Sequence, residues 1–140
     1  MPRLEVFKKH HLDQIDLGFD MPEEVKENFM RNGNPKGLTL FDNDIILGLG
    51  GVHLLWAGVG ECWILLSTYG KSKPLTVAKH SYLLFDDIMA GENLNRMQAS
   101  VAVSDSKALS FAKWLGFEVE GLMRKYGSDG EDYYRLARIR

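Results

Sequence analysis

Residues 45 to 66, IILGLGGVHLLWAGVGECWILL, form an apolar run long enough to cross a membrane as a helix. Its glycines argue against that reading. Gly48, Gly50, Gly51, Gly58 and Gly60 fall inside the run, together with His53 and Glu61. Glycine disfavours a helix interior, and Gly58 with Gly60 in WAGVGE marks a turn. The run therefore reads as two buried strands joined by a hairpin.

Other elements surround that hairpin. PRLEVFK reads as a short first strand, followed by a polar helical stretch in which His10 and His11 read as surface residues. DMPEEVKENFMRNGNP reads as a helix, with Asp20 as cap, Glu23 three residues on as in a capping box, and Gly33 as its end. LTLFDNDIILGL places a turn at Asp42-Asn43-Asp44. Residues 74 to 90 carry Leu75, Ala78, Tyr82, Phe85 and Met89 at helical spacing, with Pro74 in the first turn and Gly91 as the stop. RMQASVAV alternates as a strand. Ser104 or Asp105 caps a helix that presents Ala108, Phe111 or Ala112, and Leu115, and that Gly116 ends. FEVEGLMRKYGSDGEDYYRLARI closes the chain as a hairpin turned at Asp129-Gly130. The order β-α-α-β-β-β-α-β-α-β-β argues an α+β fold, helices flanking a mostly antiparallel central sheet. At 140 residues it fits one domain, 1–140.

Composition removes several function classes. A net charge of -2 leaves no bulk footprint for nucleic acid. Cys62 stands alone, so no internal disulfide forms, and between Glu61 and Trp63 it reads as a buried strand residue. The N-terminal MPRLEVFKKHHLDQ has no apolar signal region, which makes cytoplasmic residence the expectation. No set of His, Cys, Asp and Glu has metal-ligand spacing. Trp63 reads as core, whereas Trp56 at the hairpin end is placed for an acceptor site or a partner surface. Arg124, Arg135, Arg138 and Arg140 interleave with Glu118, Glu120, Glu131 and Asp132 near the C-terminus, the pattern of a charge-balanced sheet face.

The tripeptide Gly70-Lys71-Ser72 ends a P-loop in other proteins and stands here between a strand and a helix. The nucleotide motif needs a glycine at the position of Leu65, so a Walker loop is excluded. What remains is a basic loop. Backbone N–H groups of residues 70 to 73, the Ser72 hydroxyl, and Lys71, Lys73 and Lys79 are placed to hold phosphates, against the plainer reading of a solvated basic face.

The order of elements, with ALSFAKWLGFEVEGLMRKYGSDGEDYYRLARI, resembles the GNAT family of acyl-CoA-dependent N-acyltransferases. Its carrier is a short helix from Ala108 followed by Leu115-Gly116-Phe117 opening a strand and Glu120-Gly121 within it. GGVHLLWAGVGECWILLS is similar, further, to the GNAT-like internal virion protein A group of short-tailed bacteriophages. The resemblance implies an acetyl-CoA co-substrate, an amine acceptor and direct acyl transfer. The phage branch implies an alternative: a catalytically degenerate virion component or host-protein-binding factor, located in the host cytoplasm or the virion. A homodimer fits the family.

The resemblance also assigns residues. Cofactor contacts fall on Leu66, Ser67, Thr68, Gly70, Lys71, Ser72, Lys73 and Lys79, and, at the start of the later helix, on Asp105 and Lys107. The family's glycine-rich run is absent, since its slots hold Leu75, Ala78 and His80. The base falls on Glu61, opening the strand before the loop, or on His53 of the preceding strand, whose imidazole suits proton transfer near neutral pH. The helix position where the family carries a tyrosine acid is Ala112, so the acid is sought at Tyr126, Tyr133 or Tyr134, with Tyr126 favoured.

Overall fold

A computed structural model describes residues 2–31 and 36–140 of the chain. Its elements are β1 (Pro2–Val6), α1 (Lys9–Gln14), α2 (Glu23–Arg31), β2 (Lys36–Asp42), β3 (Ile45–Trp56), β4 (Val59–Leu66), α3 (Thr68–Lys71), α4 (Pro74–Gly91), β5 (Arg96–Ala102), α5 (Ser106–Trp114), β6 (Glu118–Met123) and β7 (Tyr133–Ile139). The order agrees with the sequence reading apart from α3, a single turn too short to leave a periodic signal. The expected stop at Gly33 lies outside the described residues.

Seven strands form one sheet in the order β1-β2-β3-β4-β5-β7-β6. Every neighbouring pair is antiparallel except β4 with β5. The 45–66 run is the β3–β4 hairpin, and no described helix is long and apolar enough to cross a membrane. Gly58 turns it at φ 85°. Gly60 has a different cause, because a Cβ there would stand 2.4 Å from the Val52 side chain. It is a strand residue that admits a neighbour, not part of the turn.

The alternation of β3 and β4 gives each sheet face its own core. On one face, Val52, Met97, Ala99 and Leu136 pack against Phe85 and Met89 of α4, Ala112 of α5 and Leu115 at the end of α5. On the other, Phe41, Ile46 and Leu49 pack under Leu12 and Ile15, with Phe29 of α2 and Trp63 joining them. Trp63 lies 5.1 Å from the Phe7 ring and 4.8 Å from Phe29, edge to face. The buried side of α4 is Val77, Phe85 and Met89. Leu75 and Tyr82, expected there from spacing, are 86% and 42% exposed. Both frames satisfy a three-and-four spacing, and the sheet selects the one centred on Phe85.

His11 is 2% exposed, not a surface residue. Its Nδ1 accepts from the Lys8 backbone N–H at 3.1 Å and sits 2.7 Å from the Thr39 hydroxyl, itself fully buried. An amide can only donate, so Nδ1 is the unprotonated nitrogen and Thr39 donates to it as well. Burial first, and His10 second, hold the His11 pKa below its ordinary 6.5. A depressed histidine pKa makes the native state bind fewer protons than the unfolded chain below that value. Stability is therefore full above about pH 6.5 and falls as the pH drops through the native pKa of His11. Thermal melts in a pH series should show this fall. His11→Asn, which keeps an acceptor without a proton, should flatten the series.

Candidate active site

β4 and β5 are held together by three register pairs, Val59↔Arg96, Gly60↔Met97 and Glu61↔Gln98. Beyond Glu61 the strands part, although β4 runs to Leu66 and β5 to Ala102. Residues 62–66 of β4 and 99–102 of β5 are not paired with each other, which leaves a cleft in the hydrogen-bonded ladder between them.

Glu61 stands at the point of parting. Both of its oxygens accept from Nη1 of Arg135 on β7, at 2.9 and 2.8 Å. The pair reaches across β5 and is 28% and 22% exposed. Both oxygens of Glu61, one of the two candidates for the base, are thus engaged in an ion pair. His53 pairs with Glu61 across β3 and β4 and so shares its sheet face. Among the described residues its Nδ1 is buried without a hydrogen-bond partner, as are Nε1 of Trp63 and Oγ of Ser100 on the same face. Phe29 packs on the His53 ring at 5.5 Å. Among the sequence candidates for the base, His53 keeps a ring nitrogen unengaged and Glu61 does not.

Cys62 is the next residue on β4 and turns to the opposite face, against the α4–α5 core. Burial, and then Glu61, push its thiol up to about 12. The protonated thiol is inert, which leaves no cysteine nucleophile beside the cleft.

The loop after β4 differs from expectation. Ser67 is 1% exposed; its Oγ accepts from the Gly70 N–H at 2.8 Å and donates to the Leu47 carbonyl at 3.1 Å. Lys71, Ser72 and Lys73 donate their N–H groups to the carbonyls of Ser67, Tyr69 and Gly70, each at 3.0 Å. The four amides of residues 70 to 73 are therefore engaged within the turn and form no open nest. Thr68 is tied to the α1–α2 connection, its N–H to the Asp16 carbonyl at 2.9 Å and its hydroxyl to the Asp16 carboxylate at 3.2 Å. Ser72 Oγ donates to the Tyr69 carbonyl. Leu66 packs with Leu47 and Val77. Gly70 is glycine because a Cβ would lie 1.9 Å from the Leu47 carbonyl oxygen.

The open donors lie one step further on. Pro74 begins α4, Lys73 caps it without a side-chain bond, and the Val77 amide returns to the cap, 3.1 Å from the Lys73 carbonyl. The N–H groups of Leu75 and Thr76 therefore sit at the positive end of an 18-residue helix without a side-chain cap. Lys71, Lys73 and Lys79 are exposed around it, with Lys73 Nζ 5.7 Å from the centre of the Tyr69 ring. Asp105 accepts from the Ala108 N–H at 3.0 Å and is the α5 cap, while Lys107 is exposed in the first turn.

Ala112 is buried in the core. Tyr134 packs into that core too, and Tyr133 faces the other way. Tyr126 is 52% exposed, its ring 5.4 Å from Tyr133. Gly127 beside it is pinned: its N–H bonds the Glu131 carbonyl at 2.9 Å, and a Cβ would meet the Tyr133 ring at 2.7 Å. Tyr133 stands two residues from Arg135 on the same strand face, so the Tyr126–Tyr133 pair borders the Glu61–Arg135 pair at about 7 Å of strand rise. No hydrogen bond joins either tyrosine to Glu61 or His53 among the described residues. No group of His, Cys, Asp and Glu there has the geometry to hold a metal.

No protein-family model matches the chain, and no curated protein matches its sequence. Solved structures do. The spermidine N-acetyltransferase SpeG of Vibrio cholerae, as an F149A mutant, superposes with a TM-score of 0.78 over 98% of this chain and 94% of its own, at 18% identity. Ard1 of Thermoplasma volcanium gives 0.78 over 99% and 97%, at 14% identity. A protein provisionally assigned as a phosphinothricin N-acetyltransferase gives 0.83 over 99% and 98%, at 13% identity. The fold is GNAT-type. At such identities the likeness carries the fold and leaves the chemistry to the residues.

Gly70→Ala tests the origin of the loop's glycine. The clash with Leu47 should lower stability by on the order of 1–3 kcal/mol, seen in denaturant melts with no ligand present.

Proposed function

We propose that the chain is an N-acyltransferase that moves an acetyl or other acyl group from acyl-CoA to an amine by direct transfer. The observation that carries this reading is the parting of β4 and β5 after Glu61↔Gln98, in a sheet whose order is GNAT-type. A thioester arm laid in that gap would meet strand backbone N–H groups suited to polarise its carbonyl. The diphosphate would lie at the α4 N-terminus, on the amides of Leu75 and Thr76 with Lys71, Lys73 and Lys79 around it. This moves the proposed phosphate donors from residues 70–73 to the helix start, keeps the three lysines, and leaves Ser67, Thr68, Gly70 and Ser72 as the scaffold beneath them.

In the transfer step the amine nitrogen attacks the acyl carbon. The new C–N bond forms as the C–S bond breaks, and the sulfur leaves with its electron pair. The nitrogen loses one proton, for which His53, directly or through water, is the better-placed acceptor. The thiolate gains one, for which Tyr126 or Tyr133 is the proposed donor. With Cys62 protonated and turned into the core, acyl-CoA and amine react while bound together.

The alternative is a non-catalytic component of a virion or a host-protein-binding factor; the four loop amides closed within α3 bear on its non-catalytic part alone. Acetyl-CoA separates the two readings. Saturation at about a hundredfold excess over Kd should stabilise the native state by roughly 2.7 kcal/mol and raise the melting midpoint. No shift, with no CoA retained in native mass spectra, selects the non-catalytic reading. Lys71→Ala with Lys73→Ala should weaken acetyl-CoA binding by about tenfold or more and make it less salt-dependent; unchanged affinity removes the lysines from the site. His53→Gln should lower kcat by about 100-fold with acetyl-CoA affinity retained.

A further inference from the structure

The Glu61–Arg135 pair is incomplete as an ion pair. Glu61 takes both of its hydrogen bonds from one nitrogen, Nη1. Among the described residues Nε and Nη2 of Arg135 make no hydrogen bond, and neither is sealed from solvent. Those two nitrogens form one edge of the planar guanidinium, with N–H bonds in the parallel arrangement that matches the two oxygens of a carboxylate. A guanidinium that served only to neutralise Glu61 would reach full strength by turning two nitrogens to it. Here a bidentate edge remains unoccupied among the described residues, on a side chain that is 22% exposed, beside the point where the strands part.

The charges nearby restrict what fits. Arg96 on β5 donates from both Nη nitrogens to Glu120 on β6, at 2.9 and 2.6 Å, and from Nε to Gln98 at 3.0 Å. The cluster therefore holds two carboxylates and two guanidiniums and has no excess positive charge. A dianionic phosphate placed on Arg135 would also face the negative field of Glu61 and Glu120. A single carboxylate on the free edge would not overload the site. Glu61 beside it is acceptor-only and favours an ammonium or amine. A negative and a positive group side by side complement a molecule that carries both signs close together. On the β3 side the wall is apolar and aromatic, with Phe29 on His53 at 5.5 Å and on Trp63 at 4.8 Å.

We propose that the acceptor is a small amino acid, held by its carboxylate on Nε and Nη2 of Arg135, with its amine between Glu61 and the cleft, and that Arg135 is the specificity-determining residue. This rests on the acyltransfer reading for its chemistry, but not for its binding geometry.

The test uses the whole chain, acetyl-CoA and a pool of L-amino acids, each compared with its carboxamide, which keeps the shape and loses the charge. Released CoA thiol reads turnover. The wild type should favour amino acids by at least about tenfold in kcat/KM. Arg135→Gln should reduce that preference to about one, mainly through KM, with its acetyl-CoA melting shift intact; Arg135→Lys, which keeps the charge without the fork, should fall between. Equal use of carboxamides by the wild type, or a preference that survives Arg135→Gln, overturns the proposal. If no amine is acylated, titration of the same amino acids and carboxamides into the chain by calorimetry still decides it. Binding of the amino acids alone, lost in Arg135→Gln, supports the site and sinks only the acyltransfer reading. Binding of neither, or of both alike, overturns the site.

Discussion

Three register pairs between β4 and β5 join the two halves of this molecule. On one side lies an antiparallel meander of β1 to β4; on the other, β5, β7 and β6. Those few ladder bonds do not act alone. The Gly58 carbonyl accepts from both Asn95 and Arg96 at 2.8 and 3.1 Å, fixing where β5 begins. Phe85 and Met89 of α4 then pack on Val52 from the first half and on Met97 and Leu136 from the second. Shorter contact between the strands would separate the halves, and longer contact would close the cleft. The Glu61–Arg135 pair adds a bond across β5 at the last point before they diverge.

Much of this was legible because it rests on local chemistry. The glycines of the 45–66 run argued for a hairpin over a membrane helix, and Asn43 at φ 55°, Gly58 at φ 85° and Gly116 at φ 97° are turns that the sequence placed correctly. Pro74 and Gly91 bounded α4 to within a residue. The alternation in RMQASVAV gave the strand; Met97 and Ala99 are buried on one side of it, whereas Val103, in the same alternation, lies past its end and is 39% exposed. Periodicity reports these features without knowledge of what lies opposite.

What was missed depends on residues far apart in the chain. His11 sits in a hexapeptide with one apolar residue, and only its contact with Thr39, 28 positions away, explains its burial. The C-terminal charges were read as balancing one another on a shared face. Arg135 and Arg138 instead pair with Glu61 and Asp86, 74 and 52 positions distant, and only the fold chooses such partners. The candidate site followed the same rule. Its location was readable from the order of elements, and its lysines from their exposed letters. Which amides stay open was not, because that is decided by a four-residue turn and by Ser67 bonding to Leu47.

Gly70 shows how a motif can mislead when read as letters. Its missing side chain leaves room for a carbonyl of the neighbouring strand, whereas the lysines after it face solvent. The tripeptide Gly70-Lys71-Ser72 thus answers to two separate selections, one for assembly of the sheet and one for whatever meets the surface. A variant at Gly70 that abolished activity would say nothing about the ligand. Variation confined to the lysines, with Gly70 kept, is the pattern to expect in chains that retain this architecture after changing or abandoning what they bind.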